Sequence, residues 1–88
     1  MLLFDWNRKP ELQYPCPWEY RVIGHDQFAI RQAVAEVLHD VDYEISLSRF
    51  SRTGRYCSLE VALTVADEAQ RTSLFTALKS HPAILMVL

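Results

Sequence analysis

From Trp18 to Ile23 apolar and polar residues broadly alternate before Gly24, the period-two pattern of a first strand. Asp26 stands where it can cap a helix running through Leu38 or His39. On that helix Ile30, Val34, Val37, Leu38 and Val41 fall at i, i+4, i+7, i+8 and i+11, one apolar stripe. Tyr43, Ile45 and Leu47 then alternate with Glu44, Ser46 and Ser48, a second strand with one wet face. Arg52-Thr53-Gly54-Arg55 is a hairpin turn in which Gly54 supplies positive φ. The third strand has the clearest pattern, with Cys57, Leu59, Val61, Leu63 and Val65 on one face and Tyr56, Ser58, Glu60, Ala62 and Thr64 on the other. Asp67 with Gln70 three residues on forms a capping-box signal for a helix to about Ser80, which buries Leu74, Phe75 and Leu78. His81-Pro82 ends it, and the apolar run from Ala83 to Leu88 predicts a final strand. Pro10, Pro15 and Pro17 exclude a regular element from the first seventeen residues.

The order β-α-β-β-α-β is that of the split βαβ unit. It predicts an α+β, ferredoxin-like sandwich: a four-stranded antiparallel sheet with two helices on one face. The first and third strands are expected side by side in the centre, and from right-handed crossovers we take that pair to run parallel. The division is an N-terminal arm, residues 1–17, and a ferredoxin-like domain, residues 18–88. The alternation puts Glu19, Arg21, Glu44, Ser46, Ser48, Ser58, Glu60 and Thr64 on the open face, an ordinary solvated surface.

Composition narrows the function classes. Eighty-eight residues, half of them hydrophobic, make one domain with a modest core and exclude a disordered chain. A net charge of −2 argues against a nucleic-acid binder driven by overall electrostatics. Two glycines leave no phosphate-cradling loop. The apolar start is broken at Asp5, so no secretory leader is expected, and no run approaches the length of a membrane span. Cys16 and Cys57 share no CxxC spacing, which fits reduced thiols in a cytoplasmic protein.

Three stretches carry a family resemblance. Tyr14-Pro15-Cys16-Pro17-Trp18-Glu19-Tyr20-Arg21-Val22-Ile23-Gly24 resembles the aromatic-Pro-x-Pro-aromatic-x-x-basic-Val-x-Gly opening of the YbeD-like family of small bacterial proteins. Gly54-Arg55-Tyr56-Cys57-Ser58-Leu59-Glu60-Val61 is similar to its Gly-basic-Tyr-x-Ser-hydrophobic-x-Val hairpin, and the stretch from His81 to Leu88 resembles its ending. The resemblance spans roughly residues 11–88. It implies a cytoplasmic protein of unknown activity, a ferredoxin-like fold likened to amino-acid-sensing ACT domains, and a non-catalytic regulatory or interaction module. It supplies no site residues, and Met1 to Lys9, with Phe4 and Trp6, has no counterpart in it.

Each candidate constellation has a functional and a structural reading. Gly24, His25 and Asp26 form a strand-to-helix turn whose free N–H groups suit a carboxylate, as in an ACT-like sensor. Equally, Gly24 makes a tight turn and Asp26 caps the helix, occupying those donors. Arg49, Arg52 and Arg55, flanked by Phe50 and Tyr56, can anchor a protein partner or hold phosphates, or are a solvated hairpin tip. Nucleic-acid binding there stays weak because Glu19, Ser58 and Glu60 take the places where a base-stacking sheet needs aromatics. Cys16 and Cys57, opening adjacent strands, could meet His39 and His81 as an N2S2 set, but four single ligands from four elements lack the paired spacing of zinc sites. Glu44 and Glu60 could face each other across two strands, yet on an open sheet both stay ionised. Leu2, Leu3, Phe4 and Trp6 form an apolar cluster that covers a sheet edge or docks on a partner or second copy.

The reading is a small, non-catalytic cytoplasmic regulatory or adaptor module acting through protein–protein binding. Its partner-binding residues are Arg49, Arg52, Arg55, Tyr56, Phe4 and Trp6, and its partner is an unknown protein, with a homodimer as a further candidate. The alternative is an ACT-like sensor of an amino acid or other small carboxylate at Gly24, His25 and Asp26. Weak nucleic-acid binding by the basic hairpin comes third. No enzyme activity, catalytic residue, metal, cofactor or membrane is expected.

Overall fold

The computed structural model describes residues 12–88. Along the chain lie β1 (Cys16–Gly24), α1 (Gln27–Val37), β2 (Tyr43–Phe50), β3 (Cys57–Val65), α2 (Glu68–Ser80) and β4 (Met86–Val87). The sheet has the order β2-β3-β1-β4, and its three strand pairs are all antiparallel. The ferredoxin-like order is therefore as the patterning predicts, but the central pair is not parallel. The α1 crossover returns the chain to the β1 end of the sheet, so β2 points the same way as β1. The hairpin then reverses β3, which must run against both.

Tyr20 and Val22 from β1 and Leu59, Val61, Leu63 and Val65 from β3 bury their side chains beneath Ile30, Ala33, Val34 and Leu38 and beneath Leu74 and Leu78. This helix-covered face is the core. Both helix starts are capped as the sequence indicates. Phe28 N–H donates to Asp26 Oδ1 at 2.9 Å, and Gln70 N–H to Asp67 Oδ1 at 2.7 Å. The Gln70 side chain reaches back one residue further than a capping box would, its Oε1 accepting from Ala66 N–H at 2.6 Å.

Two boundaries differ from expectation. β1 starts at Cys16, two residues before Trp18 and inside the stretch assigned to the arm, with Pro17 opposite Thr64. β4 pairs only with Val22 and Ile23, so β1 has an open side at Pro17, the setting in which a strand tolerates proline. Arg71 on α2 holds this opening segment. Its guanidinium lies 4.7 Å over the Trp18 ring, its Nε–H donates to Tyr14 Oη at 3.0 Å, and its carbonyl accepts from the Tyr20 hydroxyl. Burial raises the Tyr20 hydroxyl pKa above its ordinary value, with Arg71 opposing. The final strand is shorter than the apolar run suggested, because a turn closed by Ile84 N–H on the His81 carbonyl (3.1 Å) consumes its first part. The apolar cluster Leu2, Leu3, Phe4 and Trp6 lies outside the described residues.

The two glycines do different work. Gly54, at φ 73°, has open space around it and supplies only the backbone conformation of the turn. Gly24 supplies room: a Cβ there would stand 2.7 Å from the Ala83 carbonyl oxygen and 2.9 Å from Ile30 Cδ1.

Candidate functional site

The register sets Gly24 opposite Cys57, so the turn after β1 and the hairpin before β3 meet at one end of the sheet. There the two candidate stretches become a single corner. The His25 ring sits 4.9 Å from that of Tyr56, tilted by 32°, and His25 Nδ1–H donates to the Arg55 carbonyl at 2.9 Å. A carbonyl can only accept, which assigns the proton to Nδ1. The hairpin is closed by Ser51 N–H on the Tyr56 carbonyl (2.8 Å) and Tyr56 N–H on Ser51 Oγ (3.1 Å). Among the described residues Arg49, Arg52 and Arg55 form no ion pair, and all three are exposed.

This corner opens onto the helix-free face of the sheet. Ile23 stands opposite Ser58 on β3 and Met86 on β4, and Arg21 exchanges both backbone hydrogen bonds with Leu88, at 2.8 and 3.0 Å. Arg21, Ile23, Arg49, Tyr56, Ser58 and Leu88 line part of a shallow depression of about 230 Å³ there. Tyr56 is 44% exposed, Met86 51% and Leu88 64%. The half of the open face nearest the hairpin is thus an apolar patch edged by guanidinium groups, one of them paired through Arg21 and Glu60 at 3.0 Å. The other half carries Glu19, Glu44, Ser46 and Thr64 around Ala62 and is mainly polar. Ile23, Met86 and Leu88 were not singled out from sequence. The signal was available for Ile23, which strict alternation puts on the face of Glu19 and Arg21; Met86 and Leu88 were hidden by an apolar run without alternation.

The other constellations come apart. At the Gly24-His25-Asp26 turn the space left by the missing side chain is filled by the chain's own Ala83 and Ile30, and Asp26 occupies the Phe28 N–H. The antiparallel register pairs Cys16 with Val65 and Gly24 with Cys57, separating the cysteines by eight residues along β1, about 26 Å at ~3.3 Å per residue. The N2S2 grouping, which assumed parallel strands, is not assembled. His39 Nδ1–H donates to the Glu36 carbonyl at 3.1 Å. His81 accepts from Ala83 N–H on Nδ1 (3.1 Å), so its Nε2–H donates to Glu36 Oε2 at 2.8 Å. Burial, and then the charge of Asp26, pushes the Cys57 thiol pKa up, which suppresses the thiolate a nucleophile requires. Glu44 stands opposite Ala62 rather than Glu60, which lies opposite Ser46. The central strands present Glu19, Arg21, Ile23, Ser58 and Glu60 to the open side, none of them aromatic, and the exposed Tyr56 ring on this face stands just before β3.

A family model described as a protein of unknown function, DUF493, matches residues 9–88. A UPF0250 protein of Nitrosomonas europaea is 31% identical over 81 residues, covering 88% of this chain and 93% of that one. A UPF0250 protein of a Janthinobacterium species is 33% identical over 81 residues, covering 88% and 89%. A solution structure of a Helicobacter pylori protein superposes with a TM-score of 0.81 at 20% identity, over 100% of this chain and 97% of that one. The ACT domain from a GTP pyrophosphokinase of Chlorobium tepidum superposes with a TM-score of 0.63 at 16% identity, over 83% and 95%. At these identities the two structures speak to fold, and the fold is ACT-like. Among the described residues no helix is long and apolar enough to cross a membrane.

Proposed function

The chain belongs to the DUF493 family of proteins of unknown function, and from that premise we propose that it is a small regulatory or adaptor module that works by binding another protein. The surface we assign to the partner is the hairpin end of the open sheet face: Ile23, Met86, Leu88 and Tyr56, edged by Arg21 and Arg49, with the exposed Arg52 and Arg55 on the adjoining hairpin. The observation that carries this reading is the clustering of exposed apolar side chains beside guanidiniums on a face with no helix over it. Aromatic and arginine side chains around an apolar centre are the composition of interaction hot spots. The depression is shallow and open and has no buried pair of titratable groups, which favours a binding role over catalysis.

The second reading is a sensor of an amino acid or small carboxylate at Gly24, His25 and Asp26, for which the ACT-like fold is the support. It is the weaker of the two because the turn's spare volume and its Phe28 N–H donor are already taken. A thermal-shift panel of amino acids and small carboxylates separates the readings: a ligand that binds the native state raises Tm by mass action. The docking reading is tested by affinity capture from host lysate with the wild-type chain and with the triple variant R55S/Y56S/M86D. All three side chains are exposed, so the variant should keep the wild-type circular dichroism spectrum. Proteins captured by the wild type should be lost from the variant, and unchanged capture would rule the surface out.

A further inference from the structure

Given the docking face above, on whose assignment this rests, we propose that it takes an acidic amphipathic α-helix of the partner protein. The helix lies along the strands over β1 and β4 with its carboxylates at the hairpin end. That end is a basic corner in a chain of net charge −2. From Ile45 to Leu59 the chain carries Arg49, Arg52 and Arg55 and no acid. The irregularity between Leu47 and Arg49 brings Arg49 opposite Ser58, on the open face, instead of leaving it on the helix side where simple alternation would put it. Of the acids nearby, Glu60 is held by Arg21 at 3.0 Å and Asp26 accepts from the Phe28 N–H at 2.9 Å. Among the described residues neither pairs with a hairpin guanidinium.

The open face is laid out in rows across the strands. One row reads Arg49, Ser58, Ile23, Met86, and the next reads Ser46, Glu60, Arg21 with Leu88 beside it. Apolar side chains therefore gather over β1 and β4, and Arg49 stands two strands from Ile23, about 10 Å at ~4.8 Å per strand. An α-helix is about 10–12 Å across with its side chains. Seated on Ile23, Met86 and Leu88, it brings a carboxylate on its flank within reach of Arg49. The third row is acidic: Glu19 and Glu44 stand either side of Ala62, both exposed and without an ion-pair partner among the described residues. It lies four residues along β1 from Ile23, about 13 Å, which is the length of about nine helical residues. The face thus sets the direction of the helix as well as its charge. Carboxylates belong over the hairpin, and lysines or arginines over Glu19 and Glu44. Acids in the first turn and cations in the last also suit the helix dipole, so the helix starts at the hairpin end. An extended segment is a poorer occupant, because β4 beside the patch is two residues long and offers a strand little to pair with.

Panning a display library of randomised three-turn helices against the full chain reads this chemistry directly. Recovered sequences should carry an apolar stripe, Asp or Glu in the first turn, and Lys or Arg in the last. A synthetic copy of the leading sequence should bind about tenfold more weakly to R49E/R55E and to M86D, and should weaken as salt rises. R49Q/R55Q, which removes the charges without reversing them, should weaken it by less. Panning against E19K/E44K should abolish the preference for cations in the last turn and keep the acidic first turn. All five side chains are exposed, so every variant should keep the wild-type circular dichroism spectrum. Recovered helices that lack acids, binding indifferent to both R49E/R55E and M86D, or a library that yields no binder overturns the proposal. An unchanged last turn against E19K/E44K overturns the direction assigned to the helix. Single-stranded RNA that displaces the peptide and binds M86D as tightly as the wild type would give the corner to a nucleic acid instead. Non-acidic helices whose binding is still lost in M86D would keep the docking face and refute only its chemistry.

Discussion

Truncating Leu59 to alanine is expected to destabilise the fold by about 3 to 4 kcal/mol and to lower Tm by roughly 15 to 25 °C. Leu59 lies at the middle of β3, opposite Val22 on one side and Leu47 on the other, and its side chain has no solvent exposure. Alanine there removes the apolar contact and leaves a cavity beneath both helices that a close-packed core closes only in part. A domain of this length has a total stability of roughly 4 to 13 kcal/mol, so the change consumes a large fraction of it. Leu47 on the same rung provides the control. It is 38% exposed, and its truncation should cost about 1 kcal/mol or less. Urea unfolding of the two variants measures the difference, and a Leu59→Ala loss below that of Leu47→Ala would contradict the assignment of the core.

The second large effect is Gly24→Ala, expected to cost about 2 to 3 kcal/mol by overpacking. The added methyl would stand 2.7 Å from a backbone oxygen, that of Ala83, and 2.9 Å from the fully buried Ile30. The oxygen belongs to the backbone, and Ile30 Cδ1, although a side-chain end, is packed inside the core with no solvent to swing into. Relief comes by pushing out the segment that carries β4, whose hold on β1 is confined to Arg21, Val22 and Ile23. The loss should therefore come with faster hydrogen exchange at Leu85 and Leu88, whose N–H groups donate to Ile23 and Arg21 at 2.8 Å. An alanine variant as stable as the wild type, with unchanged exchange at those amides, would show that Gly24 serves only the turn.

These two residues show how unevenly the sequence revealed the fold. Leu59 was legible because period two along β3 continues for nine residues without interruption, and because a capped helix follows directly. Gly24 was legible as a turn but not as a packing site, since its neighbour Ala83 is distant in sequence and meets it only once α2 has brought the chain back. The direction of β3 against β1 followed from counting reversals along the chain. Misassigning that pair as parallel also misplaced Cys16 and Cys57, which the true register puts at opposite ends of the sheet.

The candidate corner was partly legible. His25 and Tyr56 were each named, but their contact depends on the Gly24–Cys57 register, which neither turn encodes alone. The apolar half of the open face escaped because Met86 and Leu88 sit in a run whose alternation is masked, and because a turn shortens β4. The displacement of Arg49 to the open side was likewise invisible, as an irregularity in pairing with β3 leaves no mark in period-two alternation.

The proposed docking of a partner protein at the hairpin end of the open face can be read out in vivo. Site-specific photo-crosslinking in living cells tests it most directly, with a photoreactive phenylalanine analogue placed in turn at Met86, at Leu88 and at Ser73, an exposed position on α2. Discrete crosslinked species are expected from Met86 and Leu88 and none from Ser73. Crosslinks from Ser73 alone, or none from Met86 and Leu88, would contradict it.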